Sequence, residues 1–418
     1  MGKRQNMKQR FSKKFNAAED LQVKTEPPLA EGITLFIIAL SLVLFGLVIL
    51  YSTSLGIKNA STYYFVRQLQ WCGFGFAAMA AVIAVGYKKL SDWSWLFMIG
   101  ITLMLIAALL FPAIKGARRW IQLPGIGSIQ PSEYAKFIIA LFMAKLCADK
   151  IKMVETSPFK FILLSCSLCA LPIALVMLGR DLGTTLLLSI IVYAILYAAG
   201  TRLRYLLPVP LIGVPTIFLL IKFFSPFRWT RLVTYQNPEL YQNSSGYQLW
   251  LSILALGSGG WTGVGFAESR MKHKYLPEAH TDFILSIVGE EMGFICMCML
   301  ILGYLAFIFF AVRICVKART RQGMFLVFGL TTFLAIQSVI NIGVISGAFP
   351  TKGMPAPFIS YGGSSLVACL TATGLIISVA LDAAYPDYPE KLRELIRNKL
   401  SKIPFFHTKS QPRENSGS

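Results

Sequence analysis

The feature that most constrains this chain is a recurring apolar run of roughly 18 to 25 residues, the length of a membrane-crossing helix. A helix rises about 1.5 Å per residue, so about 20 apolar residues cross the hydrocarbon core of a bilayer. Of the 418 residues, 55% are hydrophobic and 14% are charged, which is more apolar content than a soluble core of this length uses. The sequence therefore predicts an all-α, polytopic membrane protein.

Ten runs predict ten transmembrane helices. The predicted spans are 32–53, 64–85, 94–114, 132–148, 161–178, 184–199, 205–224, 283–312, 324–346 and 364–384. Basic residues fill alternate loops and both tails, which places both termini in the cytoplasm by the positive-inside rule. The chain then divides into a basic N-terminal tail (1–31), a ten-helix membrane domain (32–384) and a C-terminal tail (385–418).

A large extracytoplasmic loop, 225–282, separates predicted helices 7 and 8. It is too long for a simple connector, so we expect a functional element. Within it, 246–260 is apolar but too short to cross a bilayer, which predicts a re-entrant or interfacial helix ending in a glycine turn. Beyond the last span, 388–402 has the pattern of a basic amphipathic helix.

Composition also narrows the cofactors and partners. The net charge of +20 lies mostly in the predicted cytoplasmic segments, where it can meet anionic lipid headgroups, so no nucleic acid is implied. Eight cysteines lie mostly inside apolar runs, and the three histidines lack ligand spacing, so neither a disulfide framework nor a structural metal is indicated. The phosphate-binding pattern GxxxxGK[ST] does not occur, so no nucleotide cofactor is expected.

A basic cluster lies in a predicted outer loop. Arg118 and Arg119 precede the helix that QPSEYAK (130–136) opens. Guanidinium groups near a helix N-terminus suit phosphate oxygens, although contact with lipid headgroups is the simpler alternative. Within that helix Glu133 and Lys136 share a face, either as a structural ion pair or facing a functional path.

Carboxylates concentrate at the start of predicted helix 8, in YLPEAHTDFILSIVGEEMG (275–293). Asp282 stands at the mouth of this helix, either as an N-cap or as a carboxylate able to take a proton from a sugar hydroxyl. Glu290 and Glu291 lie deeper along the helix, which favours a structural role or a buried pair with a basic residue. The Pro- and Gly-rich segment 349–366 adds polar side chains before the last span, among them Lys352, Ser360 and Ser364.

Taken in order, these segments resemble the SEDS family (shape, elongation, division and sporulation) over residues 32 to 384. The motifs that carry the resemblance are GARRWI, QPSEYAK, DLGT, RLVTYQNPE, LPEAHTDF, GEEMG and TKGMPAPFISYGGSS. The PEAHTDFI and TKG elements are more similar to division-type members than to the elongation-type relative. Gly179 and Arg180 depart from the family pattern and leave the role of the Asp181 loop open.

The resemblance implies a peptidoglycan glycosyltransferase that polymerises lipid II into β-1,4-linked strands at the outer face of the inner membrane during division. It implies Asp282 as the general base. The substrate-binding residues it implies are Arg118, Arg119, Glu133, Lys136, His280, Lys352, Ser360 and Ser364. It also allows a divalent cation, Mg²⁺ or Mn²⁺, held through Glu133 or the diphosphate.

The implied partners are lipid II, a class B penicillin-binding protein with transpeptidase activity, and division-site regulators. Two other functions stay open on the residues alone. Ionisable groups inside the spans are also typical of a lipid II flippase, and a non-catalytic scaffold would need no general base. An elongation-type polymerase is the alternative within the family.

Overall fold

The computed structural model describes residues 26–55, 63–114, 116–123, 127–224, 226–273 and 275–400. Most of these residues are helical. The α-helices are α1 (Leu29–Leu55), α2 (Tyr63–Val85), α3 (Tyr87–Asp92), α4 (Ser94–Leu110), α5 (Pro131–Asp149), α6 (Ile151–Thr156), α7 (Pro158–Leu178), α8 (Leu182–Ala198), α9 (Leu203–Leu206), α10 (Pro208–Phe224), α11 (Pro226–Thr234), α12 (Tyr247–Ser258), α13 (Ile284–Val316), α14 (Arg321–Ile345), α15 (Gly363–Ala384) and α16 (Tyr388–Leu400). A 3₁₀ turn covers Pro238–Tyr241.

Each of the ten predicted spans coincides with one of these helices. Among the described residues, six helices are both long and apolar enough to cross a bilayer, namely α1, α2, α7, α13, α14 and α15. The chain is therefore a multi-pass membrane protein. The count of ten crossings and the cytoplasmic placement of both termini stay predictions.

The described fold is not purely α-helical. Ile121–Leu123 (β1) and Gly127–Ile129 (β2) pair as an antiparallel hairpin directly before α5. The predicted helical class is confirmed as a mostly helical fold, to which one short strand pair is added. Two other predicted helices are confirmed, α12 inside 246–260 and α16 inside 388–402.

Helix α15 lies at the centre of the bundle. In its most apolar stretch of 18 residues, 94% of the residues are buried, against 61% or less in the other five long apolar helices. It packs along α2 and also contacts α1, α5 and α14. Small residues (Gly, Ala, Ser and Thr) make up much of α15, and such residues let helix backbones approach closely in membranes.

Helix α13 is broken at Gly293, where φ is 74° and ψ is −173°. Only glycine adopts this conformation readily. The backbone groups freed by the break pair with the segment 260–265 instead, at N···O distances between 2.9 and 3.2 Å. Position 263 must also be glycine, because a Cβ there would lie 2.1 Å from the carbonyl oxygen of Glu291. The large loop is thereby fixed against the part of α13 that follows Asp282.

Candidate active site

Asp282 lies in the turn that leads into α13. The helix begins at Ile284, and its N-cap residue is Phe283 rather than Asp282. The Asp282 side chain instead faces the segment that follows α14. A Cβ at Gly353 would lie 2.7 Å from Asp282 Oδ2, so only glycine leaves room for the carboxylate in this position.

Lys352, the residue before Gly353, reaches the start of α8. Its Nζ would lie 3.2 Å from a Cβ at Gly183, and the same Cβ would lie 3.4 Å from Asp181 Oδ1. Burial lowers the pKa of the Lys352 amine, while the Asp181 carboxylate raises it and Arg119 lowers it further. The loop therefore carries one cation toward Asp181 and, at the next residue, contacts the Asp282 carboxylate.

Arg119 contacts Asp181, whereas the hydrogen bond of Arg118 goes to the end of α4. Arg119 NH1 lies 3.7 Å from Asp181 Oδ2, and its NH2 donates to the carbonyl of Arg180 at 2.8 Å. Arg118 is exposed and donates to the carbonyl of Leu109 at 3.3 Å. The two arginines predicted as a pair are therefore placed differently, and Arg119 is the one that lies beside Asp181.

Both arginines also border a recess with mixed walls. One side is apolar and comes from α4 and α7, and the other is polar and comes from the segment before β1, the start of α5 and the residue before α8. Its lining is Leu105, Ala108, Leu175, Val176 and Gly179, with Arg118, Arg119, Ser132 and Asp181. The two arginines therefore border both an apolar and a polar surface.

The two predicted serines bond the protein itself. Ser364 Oγ accepts from the backbone N of Gln130 at 3.0 Å, joining the start of α15 to the start of α5. Ser360 Oγ accepts from the backbone N of Ala356 at 2.8 Å and shapes the turn of its own loop. Both side chains are buried, so each helps hold the shape of the loops around the cluster.

His280 lies two residues before Asp282 in an aromatic group. Its ring centroid is 4.5 Å from that of Tyr64 and 5.8 Å from that of Tyr361. The carbonyl of His280 accepts from the backbone N of Tyr361 at 3.0 Å. These contacts join the Asp282 turn to α2 and to the loop before α15.

Glu133 and Lys136 form a buried ion pair with an Nζ···Oε1 distance of 2.8 Å. Lys136 Nζ also donates to Gln337 Oε1 on α14 at 2.9 Å. Lys136 is 1% exposed and Glu133 3%, so the pair lies inside the bundle rather than on an open path. In the part of the chain that the structure describes, no group of three or more His, Cys, Asp or Glu side chains converges as a metal site.

Glu290 and Glu291 fix the returning end of the large loop. Lys272 Nζ donates to Glu291 Oε1 at 2.8 Å, and Ser52 of α1 donates to the same carboxylate. Glu290 accepts from the Ser269 hydroxyl and from nearby backbone N–H groups. The predicted buried pair with a basic residue is confirmed for Glu291, with Lys272 as the partner.

The structure brings three further residues to this region, of which the sequence had indicated only Arg231, in the RWTRL segment (228–232). Arg231 of α11 is attracted by Asp282, which raises its pKa against the larger lowering effect of burial. Gln337 and Asn341 of α14 donate hydrogen bonds to backbone carbonyls of the loops around Asp282. The available signal for these two amides was their place inside an apolar run, where polar groups are costly.

The fold and this cluster define an integral membrane protein with an ionic site where loops from several helices meet. The sequence profile of FtsW, RodA and SpoVE, described as cell cycle proteins, matches residues 33–385. The chain belongs to this family.

Relatives agree with that assignment. "Probable peptidoglycan glycosyltransferase FtsW" of Geobacter metallireducens is 36% identical over 361 residues, covering 83% of this chain and 94% of the relative. Stage V sporulation protein E of Bacillus subtilis is 35% identical over 370 residues, covering 87% of this chain and 99% of the relative.

Two solved structures share the fold. One is a chain from a peptidoglycan synthase complex, described as coordinating polymerization and crosslinking. It has a TM-score of 0.71 at 23% identity and covers 84% of this chain and 98% of its own. The other is the rod shape determining protein RodA of Thermus thermophilus, with a TM-score of 0.63 at 24% identity, covering 84% of this chain and 96% of its own.

Proposed function

We propose that this chain is a peptidoglycan glycosyltransferase that polymerises lipid II at the outer face of the inner membrane, in septal synthesis. One observation carries the proposal. The Asp282 carboxylate contacts Gly353, and the preceding residue, Lys352, extends toward Asp181, which Arg119 also contacts. A base and a set of cations are thus joined through two consecutive residues, 352 and 353.

The reaction needs both parts. The 4-hydroxyl oxygen of the acceptor sugar forms a bond to the anomeric carbon of the donor, and the bond from that carbon to the diphosphate oxygen breaks. Asp282 takes the hydroxyl proton, a general-base role typically worth about 10² to 10⁴ in rate. Attack opposite the leaving group inverts the anomeric carbon and gives the β-1,4 linkage.

The leaving diphosphate develops negative charge but needs no proton. Fixed cations beside it stabilise the transition state without reorganising. Arg119 and Lys352 are placed for this role, because both extend toward Asp181 next to the loop that contacts Asp282. The substrate that these features favour is a polyprenyl diphosphate-linked saccharide.

The residues present do not fit a divalent cation held by the protein. Glu133, the expected ligand, accepts from Lys136 through one oxygen at 2.8 Å, and its other oxygen is buried without a hydrogen-bond partner. Within the described residues, however, it belongs to no group of three or more His, Cys, Asp or Glu side chains that could complete a metal site. Mg²⁺ or Mn²⁺ would instead enter with the substrate diphosphate. The roles proposed for Asp282, Arg119 and Lys352 do not require this ion.

Two further proposals concern the setting of the reaction. A class B penicillin-binding protein would supply crosslinking, which the likeness to a chain of a peptidoglycan synthase complex supports. Division-site regulators would place the enzyme at the septum, which the similarity to FtsW relatives supports.

The test is Asp282→Asn in the purified full-length protein, assayed with labelled lipid II. We expect glycan strands to be lost while the protein folds and binds lipid II normally. Asp149→Asn, an exposed carboxylate at the far end of α5, is the matched control and should polymerise normally. Polymerisation by Asp282→Asn at the unmodified rate would overturn the mechanism, and a flippase would move lipid II across vesicles in either variant.

A further inference from the structure

Two amide side chains on α14 face the loops of the active site from inside the bundle. Gln337 and Asn341 are four residues apart and therefore share one face of the helix. Gln337 is 0% exposed and Asn341 is 2% exposed. The hydrogen bonds of both amides go to other segments rather than to α14 itself.

Asn341 bonds two segments with one group. Its Nδ2 donates to the carbonyl of Asp282 at 2.9 Å and to the carbonyl of Met354 at 2.7 Å. Two carbonyl acceptors fix the orientation of the amide, because the reversed amide would turn Oδ1 toward two other oxygens. The main chain of Asp282 and that of the loop before α15 are thereby held at a set separation.

The orientation is kept although it leaves Oδ1 of Asn341 without a partner. That oxygen is buried and accepts no hydrogen bond within the described residues. A buried polar atom left unsatisfied is costly, and such atoms often mark a functional constraint. The arrangement therefore favours the two donated bonds over full satisfaction of the amide.

Gln337 supports the same loop one turn away. Its Nε2 donates to the carbonyl of Pro355 at 2.8 Å, and its Oε1 accepts from Lys136 Nζ at 2.9 Å. The buried Glu133 and Lys136 pair is thus joined to the loop that carries Lys352 and Gly353. Two adjacent residues of that loop, Met354 and Pro355, are held by α14 side chains.

These bonds bear directly on the Asp282 carboxylate. Asn341 holds the backbone of Asp282 on one side and the residue after Gly353 on the other, and Gly353 is where the loop contacts Asp282 Oδ2. We infer that Asn341 is a positioning residue that sets the Asp282 carboxylate against the 352–353 segment. This inference rests on the proposed role of Asp282 as the base.

A purely structural role would lower stability without a specific loss of turnover. Ser338 offers a matched control, since it is also buried on α14 but donates only to Leu334 of its own helix, at 2.9 Å. Small displacements of a catalytic group, on the order of 1 Å, cost up to about 10²-fold in rate. We therefore expect Asn341→Ala to lower kcat about 10- to 100-fold with KM nearly unchanged, and Ser338→Ala to alter neither by more than about twofold.

The experiment measures kcat and KM of the full-length protein with labelled lipid II, and its unfolding midpoint in detergent solution. The series is Asn341→Ala, Asn341→Ser, Asn341→Asp, Ser338→Ala and Asp282→Asn. Asn341→Ser keeps a shorter donor, so it should recover part of the lost kcat and provides a folded variant if the alanine change does not yield protein. Asn341→Asp places a second oxygen before the carbonyls and should lose at least as much kcat as the alanine variant.

A double variant separates this inference from the proposed function. If Asn341 acts through Asp282, adding Asn341→Ala to Asp282→Asn should lower the residual rate no further. Unmodified kcat in folded Asn341→Ala, or in Asn341→Asp if the alanine variant yields no protein, with Asp282→Asn inactive, would overturn the positioning role alone. Full activity of Asp282→Asn would overturn the proposed mechanism, and the inference with it.

Discussion

The buried pair of Lys272 and Glu291 allows a quantitative stability prediction. The two side chains are 1% and 0% exposed, so Lys272→Met would leave an unpaired carboxylate inside the protein. Removing one partner of a buried pair typically costs about 3–5 kcal/mol. The Ser52 hydroxyl would still donate to Glu291 at 2.6 to 2.7 Å, so we expect the lower end, about 3 kcal/mol.

Two further variants test whether the lost stability comes from the unpaired buried carboxylate. Lys145→Met breaks an ion pair with Asp92 whose side chains are 26% and 67% exposed, and such a surface pair is worth about 0–1 kcal/mol. The double variant Lys272→Met with Glu291→Leu removes both buried charges. Replacing a whole buried pair by apolar groups is often neutral, so most of the lost stability should return.

The assay is the unfolding midpoint of the full-length protein in detergent, with lipid II polymerisation measured on the same samples. Lys272→Met should unfold earliest and lose activity, since the segment that it holds leads to Asp282. The reasoning would be refuted if Lys272→Met were as stable as Lys145→Met. It would equally be refuted if the double variant were no more stable than Lys272→Met alone.

Three further predictions concern the site. Gly353→Ala places a Cβ against the Asp282 carboxylate and should lower kcat, whereas Gly100→Ala on open helix surface should not, as polymerisation rates will show. Burial lowers the pKa of the Lys352 amine. As the pH rises, this lysine therefore loses its positive charge at a lower pH than an ordinary lysine does. Activity should decline there, and Lys352→Arg should move the decline to higher pH in a pH-rate profile. Arg119→Ala should weaken lipid II turnover far more than Arg118→Ala, and equal effects would contradict the placement of Arg119 in the cluster.

The lengths of the apolar runs located the helices well, because a helix that crosses a bilayer must have a minimum length. Each predicted span is helical, and α12 and α16 are also present. The hairpin at 121–129 went unpredicted, since two strands of three residues carry too little alternation to detect. The break at Gly293 also went unpredicted, because a glycine inside an apolar run resembles an ordinary helix residue until the loop that pairs with it is known.

The site was predicted in type but only partly in detail. Residue chemistry indicated Asp282, Arg119 and Lys352 as a carboxylate and two cations. In the structure Gly353, the residue after Lys352, contacts Asp282, and Lys352 and Arg119 both extend toward Asp181. Spacing along the chain could not separate Arg119 from Arg118, because side-chain direction in a loop depends on tertiary packing. Likewise the partner of Glu291 lies 19 residues away in a loop, a pairing that no local period encodes.

The central claim is that Asp282 and the cluster of Arg119 and Lys352 act on one bound substrate. A structure of the Asp282→Asn protein with lipid II bound would test it most directly. We predict a sugar hydroxyl within about 2.6–3.2 Å of the residue 282 side chain, with the diphosphate against Arg119 or Lys352. A substrate bound with its diphosphate away from both cations, or with no sugar hydroxyl near residue 282, would contradict the account.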